Sequence, residues 1–478
     1  MSSDPLPPAR TPGQRWDFAA VRAEFDLPNG FAPDALAEAE DAVARGLNGD
    51  RGGGREDATD VPVVTIDPPG ARDLDQAMCV ERTPRGYRVR YAIADLGAFV
   101  TPSGALDREA TARGQTLYLP DGTVPLHPPV LSERAASLLP GEVRPAVLWT
   151  IDTDDEGNPI DVDVRRAMVR SAGRFDYQGV ADDLARGDVH PSLAALPEFG
   201  TLRRRLATQR GAIELQLPEQ EVTSDGNGGW RLALRLRTDI DAFNAEISLL
   251  TGMCAADMML NAGVGILRTV VVADDDALGW LRQSARALGI AWPDGTGIAD
   301  VLSGLDPQQP ESLAFYADST RLLRGAGYTS FDGEPPGAAS HAGIGGPYTH
   351  VTAPIRRLVD RYATEVCVAV CAGTEVPEWV RAGMAELPSV MGISDALAAK
   401  VERACLDQVE SWVLADRVGE TFDAVVLRGG GEEAEVLISD PPVLARCDGT
   451  DLTEGQRVTV RVTAVDTTAR TVTLEPVP

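Results

Sequence analysis

Hydrophobic spacing changes twice along this chain, and that double change limits the folds open to it. Residues 61–66 form a nearly continuous apolar run, the pattern of a buried strand, while Tyr87, Val89, Tyr91 and Ile93 alternate with Arg88 and Arg90 as a half-buried strand does. A hairpin is expected over 146–169, turning at Asp154-Asp155-Glu156-Gly157-Asn158. From about 178 to 415 the period becomes helical, with one stripe through Phe243, Ile247, Leu250, Cys254 and Met258 and another through Ile355, Leu358, Val359, Tyr362 and Val366. After Trp412 short strands return over 422–427, 434–438, 458–465 and 471–474, and such a length suits a five-stranded barrel of the oligonucleotide-binding type. Strands first and helices later predict an α+β unit.

At 478 residues the chain is long enough for three domains. The expected divisions are a small helical module over 1–60, a central domain over 61–412 and the barrel over 413–478. The first has helical patterns at 18–25 and 35–47, helix-turn-helix-like in outline, then Asn48-Gly49 and a Gly-rich exit at 51–55. Its proline-bearing start lacks the apolar core of a secretory signal, and no long uncharged apolar run follows, so a cytoplasmic protein without a membrane span is expected. Six cysteines without a CxxC pair read as buried free thiols.

Two local features carry chemistry. The first is Thr65-Ile66-Asp67-Pro68-Pro69-Gly70-Ala71-Arg72-Asp73-Leu74-Asp75-Gln76, a strand running into a turn with three carboxylates. Crowded carboxylates raise one another's pKa unless a cation neutralises them, and hard oxygen ligands suit magnesium or manganese. A solvated acidic loop is the plainer alternative. The second is a helix expected from Pro354 to about Ala372, with Arg356 and Arg357 in its first turn, where basic side chains oppose the helix dipole. An anion bound at that end explains them; so does simple solvation, or pairing with Asp360.

The stretch 65–77 resembles the signature of the ribonuclease II family, in which a TIDP strand leads to spaced aspartates. Further matches follow in order: Ile93-Ala94-Asp95, Gly114 with Tyr118-Leu119-Pro120-Asp121, Glu142-Val143-Arg144-Pro145, Glu246 opening its helix, and Tyr348-Thr349-His350-Val351-Thr352-Ala353-Pro354-Ile355-Arg356-Arg357. The resemblance implies an RNB-type catalytic domain, the C-terminal barrel being an RNA-binding domain of the ribosomal-protein type. It implies a processive 3′ to 5′ exoribonuclease that hydrolyses single-stranded RNA to nucleoside 5′-monophosphates by metal-assisted water attack. Asp67, Asp73 and Asp75, with Gln76 beside them, would hold magnesium or manganese. Arg356 would act with the carboxylates in catalysis, and Tyr118, Glu246, Arg356 and Arg357 would bind RNA. Tyr118 matches the tyrosine that stacks on the terminal base, and Glu246 the glutamate that grips the last ribose. A plain strand-end tyrosine and a dipole-complementing glutamate remain the simpler roles. No obligate protein partner is implied, and a monomer is expected.

Four features argue against an ordinary member. The net charge is −28, so RNA would have to be drawn by a local field. Gln76 stands where the family has aspartate, and Ala353 where it usually has serine. Two cold-shock barrels precede the catalytic domain in bacterial relatives, and 60 mostly helical residues do not contain them. From Asp416 onward there are twelve acidic and six basic residues, with Phe422 the one aromatic. Two rival functions follow: a catalytically impaired RNA-binding protein of the same fold, and a metal phosphoesterase acting on small substrates. The run Arg203, Arg204, Arg205 and Arg210 suits an RNA path or a solvated helix face, and the four histidines suit structural roles.

Overall fold

The computed structural model describes residues 16–46, 54–235, 237–271, 274–429, 431–449 and 451–477. The proline-bearing start and the Gly-rich stretch at 48–53 lie outside the described residues. A seven-stranded mixed sheet forms the centre, in the order Glu56–Ala58, Pro159–Arg170, Val143–Thr153, Gly86–Ala94, Gln76–Thr83, Val64–Ile66 and Gly173–Phe175. The two outermost pairings are parallel and those between them antiparallel.

Strand alternation divides large from small side chains across this sheet. Met78, Val80, Tyr87, Val89, Tyr91, Ile93, Val147, Trp149 and Ile151 point to one face, where the helices Asp239–Ala262 and Leu358–Ala372 cover them. Ala77, Cys79, Ala92, Ala94, Ala146 and Ala167 line the other, and their small size admits Ala39 and Ala42 of the helix Pro33–Arg45. The hairpin expected over 146–169 is present, its turn fixed by Asp154 Oδ1, which accepts the N–H groups of Glu156 (3.0 Å) and Asn158 (2.8 Å).

The α+β reading and the barrel both hold. Five strands close the barrel: Thr421–Arg428, Glu433–Ile438, Leu444–Asp448, Arg457–Asp466 and Thr471–Pro476. Leu444–Asp448 is the one the spacing did not reveal, because its inward side chains are the small Ala445 and Cys447. The 28-residue helix Leu387–Leu414 joins barrel to sheet domain. Residues 1–60 have no separate core among their described part. Phe18, Val21 and Leu27 share a cluster with that long helix and the barrel, and Glu56–Ala58 is an edge of the large sheet. All six cysteines are free, and among the described residues no helix is long and apolar enough to cross a membrane.

Candidate active site

Asp67 leaves the strand Val64–Ile66 with its N–H on the carbonyl of Phe175, 3.0 Å away. The Pro68-Pro69-Gly70 turn then reverses the chain, and the next segment is pinned by Ser137. The Ser137 hydroxyl accepts the Leu74 N–H (3.0 Å) and donates to the Arg72 carbonyl (2.6 Å). With Leu74 sunk in the core, Asp73 stays half-buried and Asp75 is buried, 3% exposed.

Asp75 meets the second feature across 280 positions of sequence. Its Oδ1 accepts the Ile355 N–H at 2.7 Å, and its Oδ2 lies 3.4 Å from the Arg356 Nε. The expected helix, however, does not begin at Pro354. It starts at Leu358, after an extended Arg357 (φ −137°, ψ 129°). The cause is a bridge to an early segment. Arg357 pairs with Gln115, the Thr116 N–H donates to the Arg356 carbonyl (2.9 Å), and the Leu358 N–H donates to the Gly114 carbonyl (2.9 Å). This approach requires glycine at 114, whose φ is +71° and where an added Cβ would stand 2.6 Å from the Ser394 hydroxyl.

Both arginines therefore precede the helix, and its first turn holds the acid that the dipole favours, Asp360. The two alternatives for the pair divide between them. Arg357 gives its fork to Asp360 at 2.9 and 3.0 Å, while Arg356 faces Asp75 with 43% of its side chain exposed. Asp360 also accepts the Ala353 N–H (2.6 Å), which fixes the turn ahead of the helix.

Tyr118 reaches the same place from the hairpin formed by Leu117–Leu119 and Gly122–Val124. Its hydroxyl donates to Asp73 Oδ2 at 3.0 Å, and the residue is 49% exposed. Gln76 opens the next strand with its amide oxygen accepting the Tyr91 hydroxyl (2.9 Å), which also meets the Ser248 hydroxyl (2.7 Å). Burial pushes the Asp67 carboxyl up to about 6 and that of Asp75 up to about 8, the latter against the pull of Arg356. Asp67 Oδ2 and Asp75 Oδ2 are buried without a hydrogen-bond partner. Among the described residues, no three Asp, Glu, His or Cys side chains are already grouped as a metal cage. Asp73 is engaged by Tyr118 and Gln76 by Tyr91, which leaves Asp67 and Asp75 with unmatched oxygens.

Glu246 does not join this group. It is the eighth residue of the helix Asp239–Ala262 rather than its opening, which a Thr238–Asp241 capping box supplies. It lies buried 3.9 Å from the buried Arg203, which also donates to the Gly157 carbonyl (2.9 Å). Arg203 is thus a core residue of the basic run, neither RNA path nor solvated face. On the same helix Asn244 and Ser248, four apart, turn toward the site through Tyr177 and Tyr91. In the sequence Tyr91 looks like one more inward strand position. The signal was its hydroxyl, which needs a partner when buried.

His350 bonds Tyr328 through Nδ1 (2.7 Å), a hydrogen-bonding role as expected. A cleft of about 960 Å³ opens elsewhere, between barrel and long helix. Its arginines are already paired, Arg403 with Glu410, Arg428 with Glu435, Arg446 with Glu433 and Arg470 with Glu24, so it offers no unopposed positive field.

Residues 55–371 match the RNB domain, and residues 420–477 match the RNase II-type exonuclease C-terminal S1 domain. The chain belongs to the RNB-domain family. Ribonuclease R of Chlamydia trachomatis is 27% identical over 363 residues, 72% of this chain and 50% of that protein, so the chain spans half the length of this RNB-domain relative. Mycoplasma genitalium RNase R in complex with ribose-methylated single-stranded RNA shares the fold, with TM-score 0.84 at 19% identity over 96% of this chain and 77% of that one. Yeast Ssd1, a pseudonuclease, shares it at TM-score 0.68 and 16% identity over 86% and 53%. The RNB fold therefore accompanies both catalytic and non-catalytic proteins, and the decision rests on side chains.

Proposed function

We propose that this chain is a divalent-metal-dependent 3′ to 5′ exoribonuclease that processively hydrolyses single-stranded RNA to nucleoside 5′-monophosphates, acting as a monomer in the cytoplasm. The observation that carries this reading is the 3.4 Å approach of Arg356 to Asp75. It sets a partly exposed guanidinium beside a buried carboxylate, as charge stabilisation at a phosphodiester requires.

The donor set fits a hard cation, since two buried carboxylate oxygens, on Asp67 and Asp75, accept no hydrogen bond and the second meets only the Arg356 guanidinium, 3.4 Å away. Magnesium needs one or two carboxylates and takes its remaining ligands from water and substrate phosphate. When bound, such an ion supplies an activated water and neutralises developing charge. Asp67 and Asp75 would hold it, and Arg356 would present its fork to the phosphate. The Tyr118 ring would stack on the 3′-terminal base, whichever base it is. The barrel would contribute little to the grip, because Phe422, its one aromatic, is buried.

A non-catalytic RNA binder is the second reading, favoured by Gln76, whose amide is tied to Tyr91 and brings no charge. Incubation with 5′-labelled oligoribonucleotide and magnesium separates the two: a ladder of shortened products supports catalysis, and a gel shift with intact RNA contradicts it. A small-substrate phosphoesterase would act regardless of chain length. Gln76→Asp is expected to leave activity equal or higher and to lower the magnesium needed for half-maximal rate; a clear loss of activity would remove Gln76 from the metal site.

Acidity provides another check. Protons compete with the cation at carboxyls whose pKa is raised, to about 6 at Asp67 and about 8 at Asp75. Magnesium affinity is therefore expected to rise from pH 6 to pH 8, measured as the half-saturating concentration for trimming. For the metal-free protein the sign is reversed. A raised carboxyl pKa gives stability that is complete below about pH 4 and is lost as pH climbs toward 8, so magnesium should raise Tm more at pH 8 than at pH 6.

A further inference from the structure

Two strands alone are marginal in water, yet the hairpin that carries Tyr118 has only two. Its inward residues Leu117, Leu119 and Val124 are buried in one cluster with Phe18, Val21 and Leu27 from the early segment and with Val401, Ala404 and Cys405 of the long helix. The tip is held as well. Asp121 accepts both terminal nitrogens of Arg22, at 2.9 and 2.7 Å, and the Phe18 N–H at 3.4 Å. At the foot, Arg113 donates to the Pro125 carbonyl (3.1 Å) and to the Gly30 carbonyl, and stacks on the Phe31 ring, 3.9 Å from its centroid. The other end of this early segment is fixed to the long helix, where Trp16 and Phe18 lie 5.3 and 5.4 Å from Trp412.

We infer that residues 16–31 are a brace that sets the position of Tyr118 over Asp73 and thereby the hold on the 3′-terminal nucleotide, an inference that rests on the proposed base-stacking role of Tyr118. Arg22 and Asp121 are its positioning residues. They touch neither Asp75 nor Arg356, so they act on binding of the terminal nucleotide and not on the chemical step. Bidentate geometry matters here, because a fork holding one carboxylate restrains a loop tip in direction as well as distance.

The test uses the whole chain with Arg22→Ala, Asp121→Asn and Arg22→Lys. Arg22→Ala and Asp121→Asn should each raise KM for oligoribonucleotide about 5-fold, within the range of one base stack, with kcat unchanged. Arg22→Lys, which keeps the charge but loses the fork, should fall between them and the parent. In a Tyr118→Ala background Arg22→Ala should add nothing, since both changes act through one ring. Hydrogen exchange over 117–124 should quicken in Arg22→Ala, a readout that needs no turnover. Unchanged exchange, an unchanged KM despite faster exchange, or an equal KM penalty without the Tyr118 ring would each overturn the brace. A parent protein that trims no RNA would refute the nuclease reading instead; binding of a 3′-terminal oligonucleotide would then replace KM, and exchange would still judge the brace.

Discussion

Asp75→Asn is expected to bring RNA turnover down by about 10³-fold while RNA stays bound, the scale of losing one preorganised group at the reacting centre. Asparagine keeps the shape and still accepts the Ile355 N–H, so the turn before the helix survives. What disappears is the charge that faces Arg356 and one of the two unmatched oxygens. Stability should not fall, because a carboxyl whose pKa burial has raised to about 8 is costly to ionise and a neutral amide is not. Single-turnover rates, gel shifts and Tm together check this. Activity within tenfold of the parent, or a variant that no longer folds, would contradict it.

Arg356→Ala should lower the rate at saturating RNA by about 100-fold, or about 3 kcal/mol, as loss of one preorganised charge donor does. Lysine there should recover only part of it, having no planar fork. The neighbouring change provides the contrast. Arg357→Ala strips a buried carboxylate, Asp360, of its fork and should act on folding, with a stability loss of about 3 to 5 kcal/mol seen as a lower Tm. If Arg356→Ala lowers Tm like Arg357→Ala and keeps its rate, the functional division between the two arginines is mistaken.

Why one of these arginines faces the site and its neighbour does not was beyond the reach of spacing. Their sequence context is nearly identical, and the distinction comes from a bridge to Gln115, a partner more than two hundred residues earlier. Local pattern did reveal the turn of carboxylates and the sheet, because period-two alternation and a Pro/Gly turn are written in consecutive residues. It also marked Asp67, Asp73 and Asp75, though not which oxygens would be spoken for by Tyr118 and Ile355. Glu246 was misjudged as a helix opening because the capping box of Thr238 with Asp241, eight and five residues earlier, was not read. The brace was invisible for a further reason: Phe18, Val21 and Leu27 look like the core of a small domain until the elements they cover are known.

The junction between the Gly114–Thr116 segment and the Arg356–Leu358 segment has a temporal consequence. A ribosome adding roughly 5 to 20 residues per second needs on the order of 15 to 60 seconds to pass from the first aspartates to the arginine turn. Throughout that interval the nascent acidic loop has no guanidinium to meet and no N–H from Ile355 to order it. Under the proposed nuclease reading, a chain still being translated would thus be chemically silent toward the message that encodes it, and competence would arrive abruptly, late in synthesis, when the distant turn emerges and clasps the early one.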